Sequence, residues 1–316
     1  MLAYISKRTA RSFVTLFIII TILFMLLRLM PIEGYFDNYD KLTPQQVKVA
    51  LNNMGLNDPM QKQLLDFYRS LLRWDLGVSH KYRVNVANTQ IIAEKAPISI
   101  QIGLMSLAIA LLVGLPLGIM MARSTKSRFK IWDKIGTLFI VVIQGVPAAV
   151  YYLYIQVFGT SLLGVPLLFA EENPVTWVLP VASLALGNIA YYALWLRRFM
   201  VDEYNKDYIR LARLKGLTDG KTMFRHVFRN AFVPLVQYVP NSILFTVMGS
   251  IYVESLFSVP GMGGLLVNVI QRQDNTLVQA LVLIYSAVSI AGLLLGDIMM
   301  MVVDPRISLA KKEGAR

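Results

Sequence analysis

Two histidines, one isolated aspartate and one glycine–lysine pair are the residues whose types and spacing could support chemistry in this chain. His80 and His226 are the only histidines, and cysteine is absent. Thiol catalysis and thiolate metal sites are thereby excluded. Gly216-Leu-Thr-Asp-Gly220-Lys221-Thr222 nearly matches a phosphate-binding loop. That loop needs four residues between its first glycine and the Gly-Lys pair, whereas three stand here and no buried strand precedes them. ATP binding by this chain is not expected. Asp297 sits alone in an apolar run, where an ionisable residue suggests function by default.

The elements that must position these residues are membrane spans. Of 316 residues, 56% are hydrophobic and only 16% charged, and mean hydropathy is +0.55. Soluble chains carry nearer a quarter charged residues. The composition excludes disorder, collagen and a disulfide scaffold. A helix needs roughly 20 apolar residues to cross a ~30 Å hydrocarbon core. Uncharged intervals run from 96 to 122, 135 to 170, 173 to 196, 230 to 253 and 275 to 296, and Phe13 to Leu27 supplies another. The expected fold is an all-α membrane protein with six transmembrane helices. The 135–170 interval holds one span, about 135–158, because Gly159, Gly164 and Pro166 then interrupt it. Residues 255–271 contain Pro260-Gly261-Met262-Gly263-Gly264 and are read as an external loop able to dip into the membrane against protein. Lys7, Arg8 and Arg11 precede the first apolar run, as in a secretory leader. No small-x-small site follows, so an uncleaved first helix is expected.

Basic residues orient the spans. One face gathers Lys7, Arg8 and Arg11, five basic residues from Arg123 to Lys134, nine between Arg197 and Arg229, and those of the tail. The opposite loops 159–174 and 254–276 carry only Arg272. Both termini are therefore expected in the cytoplasm. Topology accounts for the net charge of +12, and no nucleic-acid partner is needed. The two histidines fall on opposite sides of the membrane and cannot share a metal. No Ser–His–Asp or paired-carboxylate set survives this topology.

The expected organisation is an N-terminal segment and first helix over 1–30 and an external helical loop over 31–97. A core of five further helices covers 98–307, with a cytoplasmic loop at 197–232, and a tail covers 308–316. In the external loop Thr43 caps a helix with Pro44 at its first position. A second helix runs from Met60 to Trp74 with Leu64, Leu65, Tyr68, Leu71 and Leu72 on one face. This region is either a cap on the membrane domain or a docking surface. In the cytoplasmic loop a helix is expected from Asp202 to Lys215, with Tyr204, Tyr208, Leu211 and Ala212 on one face and Gly216 ending it. Thr218 or Asp219 starts a second, with Phe224, Val227 and Phe228 recurring at helical spacing. Two amphipathic helices around a glycine elbow form a rigid knob able to receive force from a soluble partner.

These residues also carry a family resemblance. Tyr208-Ile-Arg-Leu-Ala-Arg-Leu-Lys-Gly216-Leu, followed by Phe224-Arg-His-Val-Phe-Arg-Asn-Ala-Phe-Val-Pro234, resembles the EAA loop of ABC-importer permeases, in the form of the dipeptide/oligopeptide sub-family. Asn57-Asp-Pro59, Asp75-Leu-Gly77, Glu254-Ser-Leu-Phe-Ser-Val-Pro-Gly-Met-Gly263 and Asp304-Pro-Arg-Ile307 resemble its further motifs in order. Arg210-Leu211-Ala212 replaces the generic Glu-Ala-Ala, and Ile32-Glu33-Gly34 stands where a Gly-Asp-Pro-like turn is common. The resemblance implies a permease subunit in a bacterial cytoplasmic membrane, importing di- or oligopeptides by alternating access. Implied partners are a second permease, two ATPase subunits that hold ATP and Mg, an extracytoplasmic peptide-binding protein, and lipid. It places ATPase coupling on Arg210, Ala212, Lys215, Gly216 and Leu217.

Polar residues inside spans are the pathway candidates: Gln144 beside the Gly145–Pro147 break, Asn188, Tyr191 and Tyr192, then Asn241 and Ser242. Asp297 falls about 28 Å along a helix that starts near Val278, close to the cytoplasmic boundary. A structural or gating contact at the inner mouth is expected there. Two alternatives remain: the same architecture carrying nickel chelates or another small solute, and an ion-driven secondary transporter with Asp297 as its coupling acid.

Overall fold

The structure is a computed structural model that describes residues 2–36 and 38–303. The expected motif at 304–307 and the tail at 308–316 lie outside the described residues. The described chain is helical, with no β-strand and one isolated bridge between Val78 and Ala87.

Helix α1 (Leu2–Leu27) is followed by the shorter helices α2 (Pro44–Asn53) and α3 (Met60–Leu72). Next come α4 (Asn88–Ser124), α5 (Ile131–Gly145), α6 (Ala148–Leu163) and α7 (Val178–Tyr204). The segment after α7 forms α8 (Asp207–Leu214), α9 (Asp219–Thr222), a π-helical turn (Met223–Phe228) and α10 (Arg229–Val236). The chain closes with α11 (Tyr238–Val247), α12 (Ile251–Leu256), α13 (Met262–Gln271) and α14 (Asn275–Val303).

Among the described residues, four helical stretches are long and apolar enough to cross a membrane: Ser6–Leu27, Asn88–Ser124, Pro174–Tyr204 and Asn275–Val303. Helices α5 and α6 supply a fifth when taken as one span bent by 105°. The bend falls at Val146-Pro147, and Pro147 has no amide hydrogen to continue the ladder. The expected single span at 135–158 is therefore two helices. The expected span at 230–253 is also divided, into α10 and α11, with Gln237 between them. Pro240 has no amide hydrogen to donate to the Val236 carbonyl, so the ladder loses a bond there. Helix α4 starts inside the expected external loop and carries Pro97 and Pro116 without ending. Its 37 residues extend about 55 Å, so it projects beyond the hydrocarbon.

The spine of the fold is α4 against α7. A Cβ on Gly114 would stand 3.0 Å from the Ile189 carbonyl oxygen, and one on Gly118 2.9 Å from that of Ala193. Glycine thus lets the two backbones approach, the usual device where lipid offers no hydrophobic drive between helices. The cluster around this seam includes Leu107, Ala110, Ile189, Tyr192 and Leu196, and it continues into Ile209, Met223, Val227 and Leu235 of the helices after α7.

Helix α3 lies beside α1 and α14. Thr43 and Gln46 form a capping box at the start of α2. Helix α3 packs on α1 through Phe24–Phe67 and Phe17–Tyr68 stacking, both with centroids 5.0 Å apart. Its inner face is Leu64, Phe67, Tyr68 and Leu71, whereas Leu65 and Leu72 point outward. Arg28 lies over the rings of Phe24 and Tyr35. Asp274, fully buried ahead of α14, accepts from the Ser79 hydroxyl at 2.6 Å and from the amides of Lys81 and Tyr82 at 3.0 and 2.9 Å. Burial pushes this carboxyl up, but these hydrogen bonds outweigh burial and hold it below its ordinary value.

Two predictions follow from this packing. Gly118→Leu forces α4 from α7 at a cost of about 1–3 kcal/mol, read as a lowered thermal midpoint in detergent. Because the folded Asp274 carboxyl is depressed, its stabilisation is present above the ordinary aspartate range and is lost as pH falls below about 4. Thermal midpoints measured against pH should drop on that acid limb, and Asp274→Asn should flatten it while lowering the midpoint at neutral pH.

Candidate coupling surface and transport cavity

The 207–228 unit is built from the elbow outward. Helix α7 runs unbroken through Tyr204, so the helix expected from Asp202 begins instead at Asp207. Gly216 sits at φ +82°, the left-handed region that favours glycine. Its amide reaches the Arg213 carbonyl at 2.9 Å, and that of Leu217 reaches Ala212 at 3.3 Å, the two closing bonds of a glycine-terminated helix. Thr218 precedes α9, and its carbonyl accepts from Thr222 at 2.9 Å. An Arg213–Asp219 ion pair at 3.4 Å spans the elbow.

The inward face of α8 is Ile209 and Ala212, both buried. Tyr208 and Leu211, expected on that face, are exposed, as is Leu214. Eight residues make little more than two turns, and their apolar residues lie on both sides. The π turn changes the next face as well: Met223 and Val227 are buried while Phe224 is exposed. Arg210, Lys215 and Gly216 are exposed and Leu217 is half-buried. Of the five expected coupling residues, Ala212 alone points into the core.

Tyr208 latches α8 to its neighbours. Its hydroxyl binds Glu203 and accepts from Asn230 Nδ2 at 2.7 Å, with the His226 ring edge-on at 6.5 Å. Burial first, and then the Glu203 carboxylate, push the phenol up to about 12. Lys126 lies 3.5 Å above the Tyr204 ring. The unit is therefore fastened to the membrane helices while it leaves Leu211, Leu214 and Phe224 exposed among basic residues.

Above it, a cavity of about 310 Å³ is lined by Ser99, Ser106, Asn188, Ser242, Ser250 and Glu254, among others. Asn188 and Ser242 thus converge, and the Tyr192 hydroxyl meets Ser242 at 2.9 Å. Tyr191 stands beside Tyr192, Trp195 and Tyr238 in an aromatic group. Asn241 faces α14, where a Cβ on Gly292 would approach its Oδ1 to 2.7 Å. Gln144 is exposed beside a separate cavity with Arg197, so it does not join the others. Sequence reasoning missed Ser99, Ser106 and Glu254. Ser99 and Ser106 stand seven apart, two helical turns on one face of α4, and that spacing was readable.

Asp297 is not free. It pairs with Arg8 of α1 and accepts from Gln237 Nε2 at 3.0 Å. It joins α1, the α10–α11 break and α14.

The sequence pattern of the family described as "Binding-protein-dependent transport system inner membrane component" matches residues 114–309, and that of its N-terminal membrane component matches residues 1–80. The chain belongs to this family. This inner-membrane transport component is 31% identical over 310 residues to the oligopeptide transport system permease protein OppB of Haemophilus influenzae, covering 97% of this chain and 99% of that one. It is 31% identical over 314 residues to the dipeptide transport system permease protein DppB of Bacillus subtilis, covering 99% and 100%. Its fold is similar to that in a crystal structure of an amino acid ABC transporter with histidines, at TM-score 0.51 and 19% identity, over 69% of this chain and 94% of that chain. It is an integral membrane protein of an ABC permease fold.

Asp297 ties α1 to α14 through Arg8. Asp297→Asn in this transport component should lower the thermal midpoint by loosening α1 from α14. Uptake into vesicles should stay insensitive to an uncoupler in both forms; uncoupler sensitivity that disappears with the substitution would make Asp297 a coupling acid instead.

Proposed function

We propose that this chain is one of two permease subunits of an ATP-driven importer that carries di- and oligopeptides across a bacterial cytoplasmic membrane. The two relatives above are named for oligopeptide and dipeptide transport, which favours peptide over nickel chelates as cargo. Helices α10 and α11 together make the sixth crossing, and both termini are cytoplasmic. The second permease, two ATPase subunits with ATP and Mg, and an extracytoplasmic peptide-binding protein complete the assembly. This chain itself holds no cofactor.

One observation carries the mechanism: the buried side of the elbow belongs to the same apolar cluster as the helices that line the cavity. Ile209, Met223 and Val227 pack with Leu107, Ile189 and Tyr192. A displacement of the 207–228 unit therefore cannot leave α4 and α7 unmoved, because close-packed interiors transmit strain. ATP-driven closure of the ATPases pushes on Arg210, Leu211, Leu214 and Lys215; the cavity then opens outward to receive peptide. Hydrolysis and release reset it. Gly216 sets the angle of the pushed helix, Leu217 completes its closing bond, and Ala212 seats it. Asn188, Tyr192 and Ser242 offer hydrogen bonds to a peptide backbone on its way inward.

Reconstitution with the partner subunits and binding protein should give vanadate-sensitive, uncoupler-insensitive accumulation of peptide. Accumulation of nickel chelates without peptide would change the cargo, and accumulation that needs a proton gradient and no ATP would end the proposal. A Cβ at Gly216 meets no neighbour within 4 Å, so Gly216→Val should leave assembly intact while straining the turn by about 1–2 kcal/mol. ATP-driven uptake should fall roughly five- to thirty-fold, and unchanged uptake would refute the coupling role.

A further inference from the structure

Glu254 is 3% exposed and stands at the wall between two cavities. The outer one, about 410 Å³, is also lined by Tyr82, Lys95, Ser258 and Asn268. The inner one is the 310 Å³ cavity of Ser99, Asn188 and Ser242. Glu254 is the one residue common to both linings.

Its partners are neutral. The Ser99 hydroxyl donates to Oε1 at 2.7 Å, and the Gly264 amide donates to Oε2 at 2.9 Å. Lys95 lines the outer cavity, yet no basic side chain forms an ion pair with Glu254 among the described residues. A buried carboxylate held only by neutral donors lacks a countercharge, and burying charge is costly without one. The space around it is kept by glycines. A Cβ on Gly249 would collide with the carboxylate, and one on Gly261 would stand 2.6 Å from Oε2. The surrounding serines and asparagine suit uncharged amide groups, which leaves Glu254 as the one charge in the inner lining.

We propose that Glu254 receives the α-ammonium group of a peptide as it passes from the outer cavity to the inner one. The inference rests on the peptide-import reading above. The incoming ammonium supplies the missing countercharge and competes with Ser99 for Oε1. Serine, asparagine and backbone groups then hold the uncharged remainder.

The assembled importer, purified without its binding protein, is treated with a carbodiimide and a small amine, and modification of Glu254 is read by mass spectrometry. Trialanine should protect Glu254, and N-acetyl-trialanine at equal concentration should not. Equal protection by both, protection by neither, or no modification in any state overturns the proposal. In vesicles containing the whole importer, Glu254→Gln should reduce trialanine uptake about tenfold or more, since it removes a charge-assisted hydrogen bond, and Glu254→Asp should recover part of it. Assembly and basal ATP hydrolysis should persist. Wild-type rates in the assembled glutamine variant refute the inference while peptide import stands. Wild-type vesicles that accumulate no peptide refute the import reading itself. Should the glutamine variant not assemble, the labelling result on the unaltered importer decides.

Discussion

The contact on which the rest of the structure depends is the approach of α4 to α7 at Gly114 and Gly118. Within lipid, apolar side chains gain nothing by leaving the solvent, so helices associate through van der Waals contact and hydrogen bonds. Such contact is largest where small residues let backbones meet. Here two glycines of α4 face the Ile189 and Ala193 carbonyls of α7. The Ser106 hydroxyl adds a hydrogen bond to the Val181 carbonyl at 3.1 Å. The helices after α7 pack against this pair, since Met200 and Ala122 near one end of it share a cluster with Ile209 and Val227.

The broken helices answer a second constraint. A helix end within the membrane leaves backbone groups that need partners, so interruptions face protein or a water-filled space. Beyond the α5–α6 break, the Gln156 amide of α6 reaches the Leu256 carbonyl at 2.7 Å and ties α6 to α12. The turn between α12 and α13 is held by Ser99, which accepts from the Met262 amide at 2.8 Å while its hydroxyl binds Glu254. The polar side chains of the cavity thus serve the backbone as well as lining a space. That double use explains why serine and asparagine stand there within otherwise apolar helices.

Much of this was legible in the sequence, and the remainder failed for identifiable reasons. Uncharged intervals marked the long helices because the hydrocarbon sets a length that composition must meet. The capping box at Thr43 and the left-handed residue at Gly216 were readable because each depends on neighbours a few residues away. The face of α8 was misread because Tyr208, Leu211, Ile209 and Ala212 are all acceptable inward residues, and only the packing of Val227 and Met200 selects Ile209. The division at Gln237 followed from Pro240, whose effect on the carbonyl four residues earlier was outweighed in the sequence by an uncharged run. Ser99 and Glu254 stand 155 residues apart, and Arg8 and Asp297 are separated by most of the chain. No local pattern brings them together.

The division at Gln237 also decides how the two functional regions are connected. Helix α10 continues from the 207–228 unit, with Ala231 and Leu235 in its apolar cluster. Helix α11 carries Ser242 into the cavity wall. An unbroken helix would make these one rigid rod, so any tilt of the unit would swing Ser242 by a fixed amount. Gln237 itself keeps helical dihedral angles, φ −62° and ψ −33°, so the division is a gap in the hydrogen-bond ladder. Gln237 is gripped by Asp297, which is gripped in turn by Arg8, and the absence of a side chain at Gly296 lets the Gln237 carbonyl lie against α14. The acid that the sequence offered as a coupling group is thus held at the joint between α10, which packs with the 207–228 unit, and α11, which lines the cavity.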